Sequence, residues 1–391
     1  MIEIAALVAP KAPLGTPVRL TAALPETRRE KRLNERGSLQ KAAGYLMPQY
    51  GVAQCGMGLI PGTAGVAVYR TAEGTAHYGN LKTCGSVWVC PVCAAKISER
   101  RRVEIQTAIQ AHCAQHGEGT ILIAAYTASH KRTDGLSDVL TRFLDAQERM
   151  KGNRPYKRLK ARYGLVGSIK SLEVTWGEPN GWHPHCHTLL FFDKPVDAEV
   201  FRRELYGAWE GAARAQGLSM TEARGLVIQS AWGEVQDYVA KWGHEPTEPV
   251  WDATAELTKG HSKRARGDEA GPRYTPFDLL RWFRDTGEVL PAQLFREFAT
   301  AFKGRHQLNW SDGLRARVGL GVEESDETVA TKVETPAVLL GLIDRERWAA
   351  VCYYEQRGQV LIAAEQGGWD AVVVVLDHLL EQYRAEARGP T

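Results

Sequence analysis

The chain has 391 residues, 44% of them hydrophobic and 24% charged, with a formal net charge of +3. That length and composition describe an ordinary globular protein of two or three domains with enough chain for a real core. No apolar run approaches bilayer length, which argues against a membrane protein, and a charge this mild leaves partners to be read from local clusters. The opening Met1-Ile2-Glu3-Ile4-Ala5-Ala6-Leu7 carries an acid where a signal peptide carries a base, so the expected location is the cytoplasm.

Residues 1–50 begin with prolines and a charged run over 26–32, and read as a flexible arm. Short strands are predicted at 66–70 and 87–89, then a helix over 91–116 with Ile97, Ile105, Ala108, Ile109 and His112 on one face. Residues 121–127 read as a buried strand, 136–150 as an amphipathic helix and 169–176 as an alternating strand. Gly177-Glu178-Pro179-Asn180-Gly181 is a turn with an Asn-Gly signal, and 185–192 is the returning strand. A helix at 196–216, a strand at 227–231 and a helix at 233–242 complete the run. The order β-α-β-β-α-β-α predicts an α+β, ferredoxin-like arrangement: one antiparallel sheet with helices packed on one face. A Pro- and charge-rich stretch then leads to about residue 274, followed by helices near 277–282 and 292–302 and an acidic linker at 323–327. The last piece, 338–383, has two helical runs around a possible hairpin of 351–354 with 359–362.

The chemistry concentrates at His183-Pro184-His185-Cys186-His187, where the returning strand begins. Side chains alternate along a strand, so His185 and His187 share a face and Cys186 takes the other. Two imidazoles so placed can chelate one divalent metal; the plain alternative is a polar strand end. With the turn centred on Asn180, position 173 falls opposite 187, and Glu173 joins the two histidines on their face. On the helix at 233–242, Glu234, Tyr238 and Lys241 occupy one face at i, i+4 and i+7. A Tyr with a Lys one turn on can serve as a phosphoryl acceptor, the Lys favouring phenolate, although such a face is also common on solvated helices.

Seven cysteines are present, an odd number unevenly spaced: Cys55, Cys84, Cys90, Cys93, Cys113, Cys186 and Cys352. In a cytoplasmic protein such clustering suggests metal rather than disulfides. Cys90-Pro91-Val92-Cys93 with Cys84 suits a tetrahedral zinc, with Cys55 as fourth ligand and His77 as its competitor. Cys113 and Cys352 read as packing residues. Basic residues cluster at Arg149, Lys151, Arg154, Lys157, Arg158, Lys160 and Arg162, with no acid among them between 149 and 162. Smaller clusters are Lys259, His261, Lys263, Arg264 and Arg266, and Arg100-Arg101-Arg102. The first is favoured as a DNA-binding segment because it lies between a helix and the histidine hairpin. Trp182 and Tyr156 either stack on unpaired bases or pack internally.

These blocks together resemble the bacterial rolling-circle plasmid replication initiators of the HUH endonuclease superfamily, a likeness running from about Cys55 to Leu320. Thr127-Ala128-Ser129-His130 is similar to the first family motif, with Ala-Tyr before it where the family has Thr-Leu. Leu172-Glu173-Val174-Thr175 with Gly181-Trp182-His183-Pro184-His185-Cys186-His187 resembles the metal-binding motif, Cys186 replacing a bulkier apolar residue. Tyr238-Val239-Ala240-Lys241 resembles the nucleophile motif, and Glu234 matches a glutamate linked to termination. Residues 274–280 and 307–315 resemble further family blocks, and the cysteine pattern belongs to the likeness too. The resemblance implies a nickase that uses Mn or Mg at Glu173, His185 and His187. Tyr238 would be its nucleophile, forming a 5′-phosphotyrosine link, and Glu234 would assist termination. It also implies plasmid double-strand origin DNA and single-stranded DNA as substrates, host helicase and polymerase as partners, and no membrane.

The implied organisation is an arm at 1–50, a Cys-rich zinc region with a helix at 51–117, the nicking domain at 118–245, a family-specific extension at 246–320, and an acidic linker with a C-terminal region at 321–391. Two alternatives remain. One is another HUH enzyme, a relaxase or single-strand transposase, although relaxases use three histidines and an N-terminal nucleophile. The other is a non-catalytic zinc-containing DNA-binding protein.

Overall fold

A computed structural model describes residues 28–117, 119–230, 271–332 and 336–387. The chain divides into two compact units: Met1–Cys93, Trp282–Val289 and Asp326–Thr391 form one, Ala94–Arg281 and Leu290–Ser325 the other. Segments read as arm, cysteine region and C-terminal region thus contribute to the same unit.

The first unit opens with helix α1 (Arg28–Leu46). Leu39, Ala42, Ala43 and Leu46 recur at helical spacing and are buried, so residues 28–46 are a packed helix rather than part of a flexible arm. The hairpin of β1 (Val66–Thr71) and β2 (Ala76–Gly79) follows. Residues 87–89, expected as a strand, form a turn instead. Val87, Trp88 and Val89 are all buried, so the alternation that would mark a half-buried strand is missing.

Along the chain come α2 (Pro91–His116), β3 (Ile121–Tyr126), α3 (Leu136–Gly152), α4 (Arg154–Tyr163), β4 (Leu165–Gly177) and β5 (Gly181–Phe192). Next are α5 (Ala198–Arg214), the single turn α6 (Glu222–Gly225) and β6 (Leu226–Ser230). The antiparallel sheet of the second unit runs β6-β3-β5-β4, the order of the predicted β-α-β-β-α-β motif, and is extended beyond β4 by β7 (Arg273–Tyr274). The predicted helix at 233–242, with Glu234, Tyr238 and Lys241, and the basic cluster at 259–266 lie outside the described residues.

Contrary to expectation, the sheet is covered on both faces. On one, α3 and α5 bring Phe143 and Trp209 edge to face, with Tyr126 against Trp209 and Phe192 against Phe201. On the other, Ile105, Ala108 and Ile109 of α2 pack on Ile123, Ile169, Leu189 and Phe191. Burial on both sides explains the unbroken apolar run at the end of β5. Only the start of β5 carries polar side chains.

After β7 come α7 (Pro276–Thr286), α8 (Val289–Ala301), β8 (Leu308–Trp310), the turn α9 (Leu314–Arg317) and α10 (Asp326–Thr331). The chain ends in β9 (Ala337–Ile343), α11 (Arg345–Tyr353) and α12 (Arg357–Ala387), the last broken at Gly368, whose φ is 66°. In the first unit β9 pairs with β1. The hairpin expected at 351–354 and 359–362 is helical, because Val351, Val360 and Ala364 bury at helical rather than alternating positions. Residues 357–386 are also long and apolar enough by composition to cross a membrane, which corrects the reading that no such run exists. Val360, Ala364, Val372, Leu376 and Leu379 of this helix lie in the core with Val66, Val68 and Trp348.

Candidate active site

The β4–β5 hairpin sets the first site. Its turn spans Gly177–Gly181, with Asn180 N–H donating to the Gly177 carbonyl at 3.1 Å. Gly181 has φ 72°, and a Cβ there would come within 2.7 Å of the Arg132 carbonyl oxygen, so glycine is required on both counts. Glu173 pairs with His185, and Ser171 with His187. The register is two residues away from the expected pairing of 173 with 187. A shift of two preserves strand parity, so the three side chains still share a face.

The potential ligand atoms of Glu173, His185 and His187 all lie within 4.8 Å of one another. His185 Nε2 is 3.3 Å from Glu173 Oε2. Cations held at about 2.1 Å have neighbouring ligands about 3.0–3.4 Å apart, so this donor set fits a single divalent ion. Glu173 is 7% exposed, whereas both histidines are half-buried, so the group is open on the imidazole side. Cys186 faces the opposite way into the core, where burial pushes its thiol up to about 12, in keeping with a packing role.

His183 shares the histidine face but turns to a different partner. Its Nδ1 lies 3.3 Å from His130 Nε2, and burial, followed by the neighbouring His185, lowers its pKa to about 3. His130 is held over the strand by a clamp: Ser129 N–H donates to the Ser219 carbonyl at 2.7 Å, and Thr127 N–H to the Gly225 carbonyl at 3.1 Å. A cleft lined by Thr127, His130, Thr175, His183, Arg224 and Arg273 opens here. The His130–His183 contact was not legible in the sequence; the one available signal was that both residues belong to motif blocks.

Two further blocks brace β4. Asp278 accepts from Thr275 N–H at 3.0 Å and donates its own N–H to Thr275 Oγ1 at 3.3 Å, a capping box that starts α7 beside β7. In the other block β8 pairs with Ile169–Ser171, and Arg315 lies 4.9 Å over the Trp310 ring while pairing with Glu104 at 3.1 Å. Trp182 is buried and donates to Glu297 at 2.8 Å, and burial pushes the Tyr156 phenol up to about 12. Both aromatics pack internally.

The first unit holds a second metal-capable group. The sulfurs of Cys55, Cys84, Cys90 and Cys93 lie within 4.8 Å of one another. Cys55–Cys93 is 3.4 Å, Cys84–Cys93 3.7 Å and Cys55–Cys90 3.7 Å, close to the roughly 3.8 Å edge of a tetrahedron with bonds of about 2.3 Å to zinc. Gln40 Nε2 and the backbone N–H of Cys93 donate to Cys90, and the backbone N–H of Cys84 to Cys55. Hydrogen bonds from Cys84, Cys90 and Cys93 hold the Cys55 thiol well below its ordinary range, whereas contact with Cys55 pushes Cys84 and Cys93 up and burial raises Cys90. His77 stacks on Tyr69 and is outside the group, whose fourth sulfur is that of Cys55.

The basic clusters part company. Arg101 is buried and pairs with Glu104 at 3.1 Å and Glu323 at 3.4 Å; Arg100 reaches Glu104 and Glu324, and Arg102 reaches Glu99 at 2.7 Å. This triplet is committed to internal ion pairs. Of the larger cluster, Lys151 pairs with Glu148 and Arg162 with Glu204, while Arg149, Arg154, Lys157, Arg158 and Lys160 are exposed.

Residues 79–206 match the replication protein family. This stretch takes in Cys84, Cys90, Cys93, Glu173, His185 and His187, and ends before Tyr238. A Rep protein of Streptomyces lividans is 28% identical over 332 residues, covering 68% of this chain and 70% of that protein. A protein of Streptomyces cyanogenus named for neomycin resistance is 34% identical over 171 residues, 37% of this chain and 38% of the relative. A Rep protein of Streptococcus pneumoniae is 22% identical over 144 residues, 35% of this chain and 43% of the relative. No solved structure matches the chain.

Proposed function

Because the chain carries a replication-protein domain and is related to bacterial Rep proteins, we propose that it initiates rolling-circle replication of a plasmid by nicking one strand of its origin. The observation that carries this reading is the convergence of Glu173, His185 and His187 on one face of a rigid hairpin. The set of one carboxylate and two imidazoles also favours this reading over a three-histidine relaxase site, since His183 is turned to His130.

Glu173, His185 and His187 would hold a divalent cation, Mn or Mg, which would supply positive charge at the scissile phosphate. Tyr238 Oη attacks the phosphorus in line. The bond to the 3′-oxygen breaks as the tyrosine–phosphorus bond forms, leaving a 5′-phosphotyrosine and a 3′-hydroxyl that has gained a proton. Lys241 favours the phenolate and offsets charge on the phosphoryl group. The 3′-hydroxyl primes synthesis by a host polymerase behind a host helicase, and the covalent link keeps the phosphodiester energy for rejoining. Glu234 activates a water for the closing cleavage, releasing the protein. The setting is the bacterial cytoplasm, and zinc in the four-cysteine group serves structure.

The test is incubation with supercoiled origin plasmid and Mn²⁺ or Mg²⁺, scoring a covalent 5′-DNA adduct. Tyr238→Phe should abolish the adduct, and Glu234→Ala should keep nicking while impairing release. An adduct formed by the Phe variant would sink the assignment of Tyr238.

A further inference from the structure

We infer that α4 is a grip for duplex DNA, separate from the nicking centre; this rests on the reading above that the substrate is DNA. The helix is sharply bounded. Asn153 caps its start by accepting from Tyr156 N–H at 2.8 Å, Pro155 occupies the first turn, and Gly164 ends it at φ 70°. Leu159 is buried, with Tyr156 and Tyr163 half-buried on the same side. At 100° per residue Arg154, Lys157 and Arg158 fall on the opposite side, within an arc of about 100°. All three are exposed, and none makes an ion pair among the described residues. Arg149, in the last turn of α3, is exposed as well.

The surface suits a phosphate backbone rather than unpaired bases. Single-strand grooves combine basic residues with exposed aromatic rings that stack on bases. Here Tyr156 faces inward, and Tyr163 donates to Glu204 at 2.8 Å while lying edge to face on Phe201. A rigid helix offering three or four cations and no free ring fits the regular phosphates of a duplex.

Position separates this surface from the metal residues. The helix packs on α3, α5 and the start of β4, the sheet face opposite Glu173, His185 and His187. Ile169 and Leu189, which share the face of Glu173, His185 and His187, pack under α2 instead. The cluster first read as neighbouring the histidine hairpin therefore lies across the sheet from the metal residues.

The test combines two measurements on the full chain carrying Arg154→Gln, Lys157→Gln and Arg158→Gln together, all exposed positions where Gln keeps helix propensity. Affinity for a duplex of about 30 base pairs of arbitrary sequence is followed against salt. Loss of three phosphate contacts should make the log–log slope shallower by about 2.7. Cleavage of a short single-stranded origin oligonucleotide with Mn²⁺ should be unchanged. An unaltered duplex slope overturns the grip. Cleavage of the oligonucleotide lost by a variant with unchanged circular dichroism overturns the separation from the nicking centre. Should the unmodified protein fail to cleave any oligonucleotide, the nicking reading falls while the duplex slope still decides the grip.

Discussion

Two metal-capable groups sit in the two units, and they are built on opposite plans. The four cysteines are soft, nearly closed off from solvent, and already tied by N–H donors from Gln40, Cys84 and Cys93. Glu173, His185 and His187 are a mixed set on a hairpin, with one buried carboxylate and two half-buried imidazoles. A closed tetrahedron of thiolates leaves a metal no position for substrate, whereas three donors on one face of a hairpin leave several. On the proposed function, the same chain would separate a metal that holds a fold from a metal that meets a phosphate.

The comparison breaks most readily at the open group. Replacing His185 and His187 together by Ala should lower origin nicking by a factor of at least about 10³, equivalent to several kcal/mol of transition-state stabilisation. Thermal unfolding should change little, because both imidazoles are partly exposed. Assay of relaxed plasmid beside a melting curve checks this; a collapsed melting curve would make the open group structural as well. The closed group should behave in reverse. Cys90→Ala with Cys93→Ala should release bound zinc, seen by elemental analysis, and destabilise the first unit by several kcal/mol, given that structural zinc contributes on the order of 10 kcal/mol in small domains. Nicking per folded molecule should persist. Loss of nicking in a variant that keeps its fold would contradict the division between the two groups.

What the sequence disclosed follows from how local the signals are. The helix over 91–116 and the strands and helices of the hairpin domain come from periodicity within single elements. That Glu173, His185 and His187 share a face was legible because strand parity survives an error of two in register, as the Glu173–His185 pairing demonstrates. Less visible was whatever depends on distant partners. The helical state of 28–46 rests partly on contacts such as Arg29–Glu365 at 2.6 Å, which link residues far apart in the chain. The second covering of the sheet by α2 has no local signature either, since a buried strand of Ile and Leu reads the same whichever element lies above it. Charge was the weakest guide, for a run of arginines gives no hint of which carboxylates will meet it.

Arg101 carries that last point to a smaller and sharper prediction. Its guanidinium is 4% exposed, between Glu104 and Glu323, and also donates to the Glu324 carbonyl at 2.6 Å. Glu104 is itself buried and keeps a second partner in Arg315 at 3.1 Å, so removing Arg101 leaves the carboxylate partly compensated. Arg101→Gln should therefore cost about 2–3 kcal/mol, below the range for stripping a buried charge of all its partners. The salt dependence of duplex binding should stay as it was, because the side chain has no exposure from which to reach a phosphate. A shift in that slope comparable to the loss of one contact, about 0.9, would return the Arg100–Arg102 triplet to the DNA surface and erase its contrast with α4. Denaturant unfolding and anisotropy titration on the same preparation separate the two outcomes.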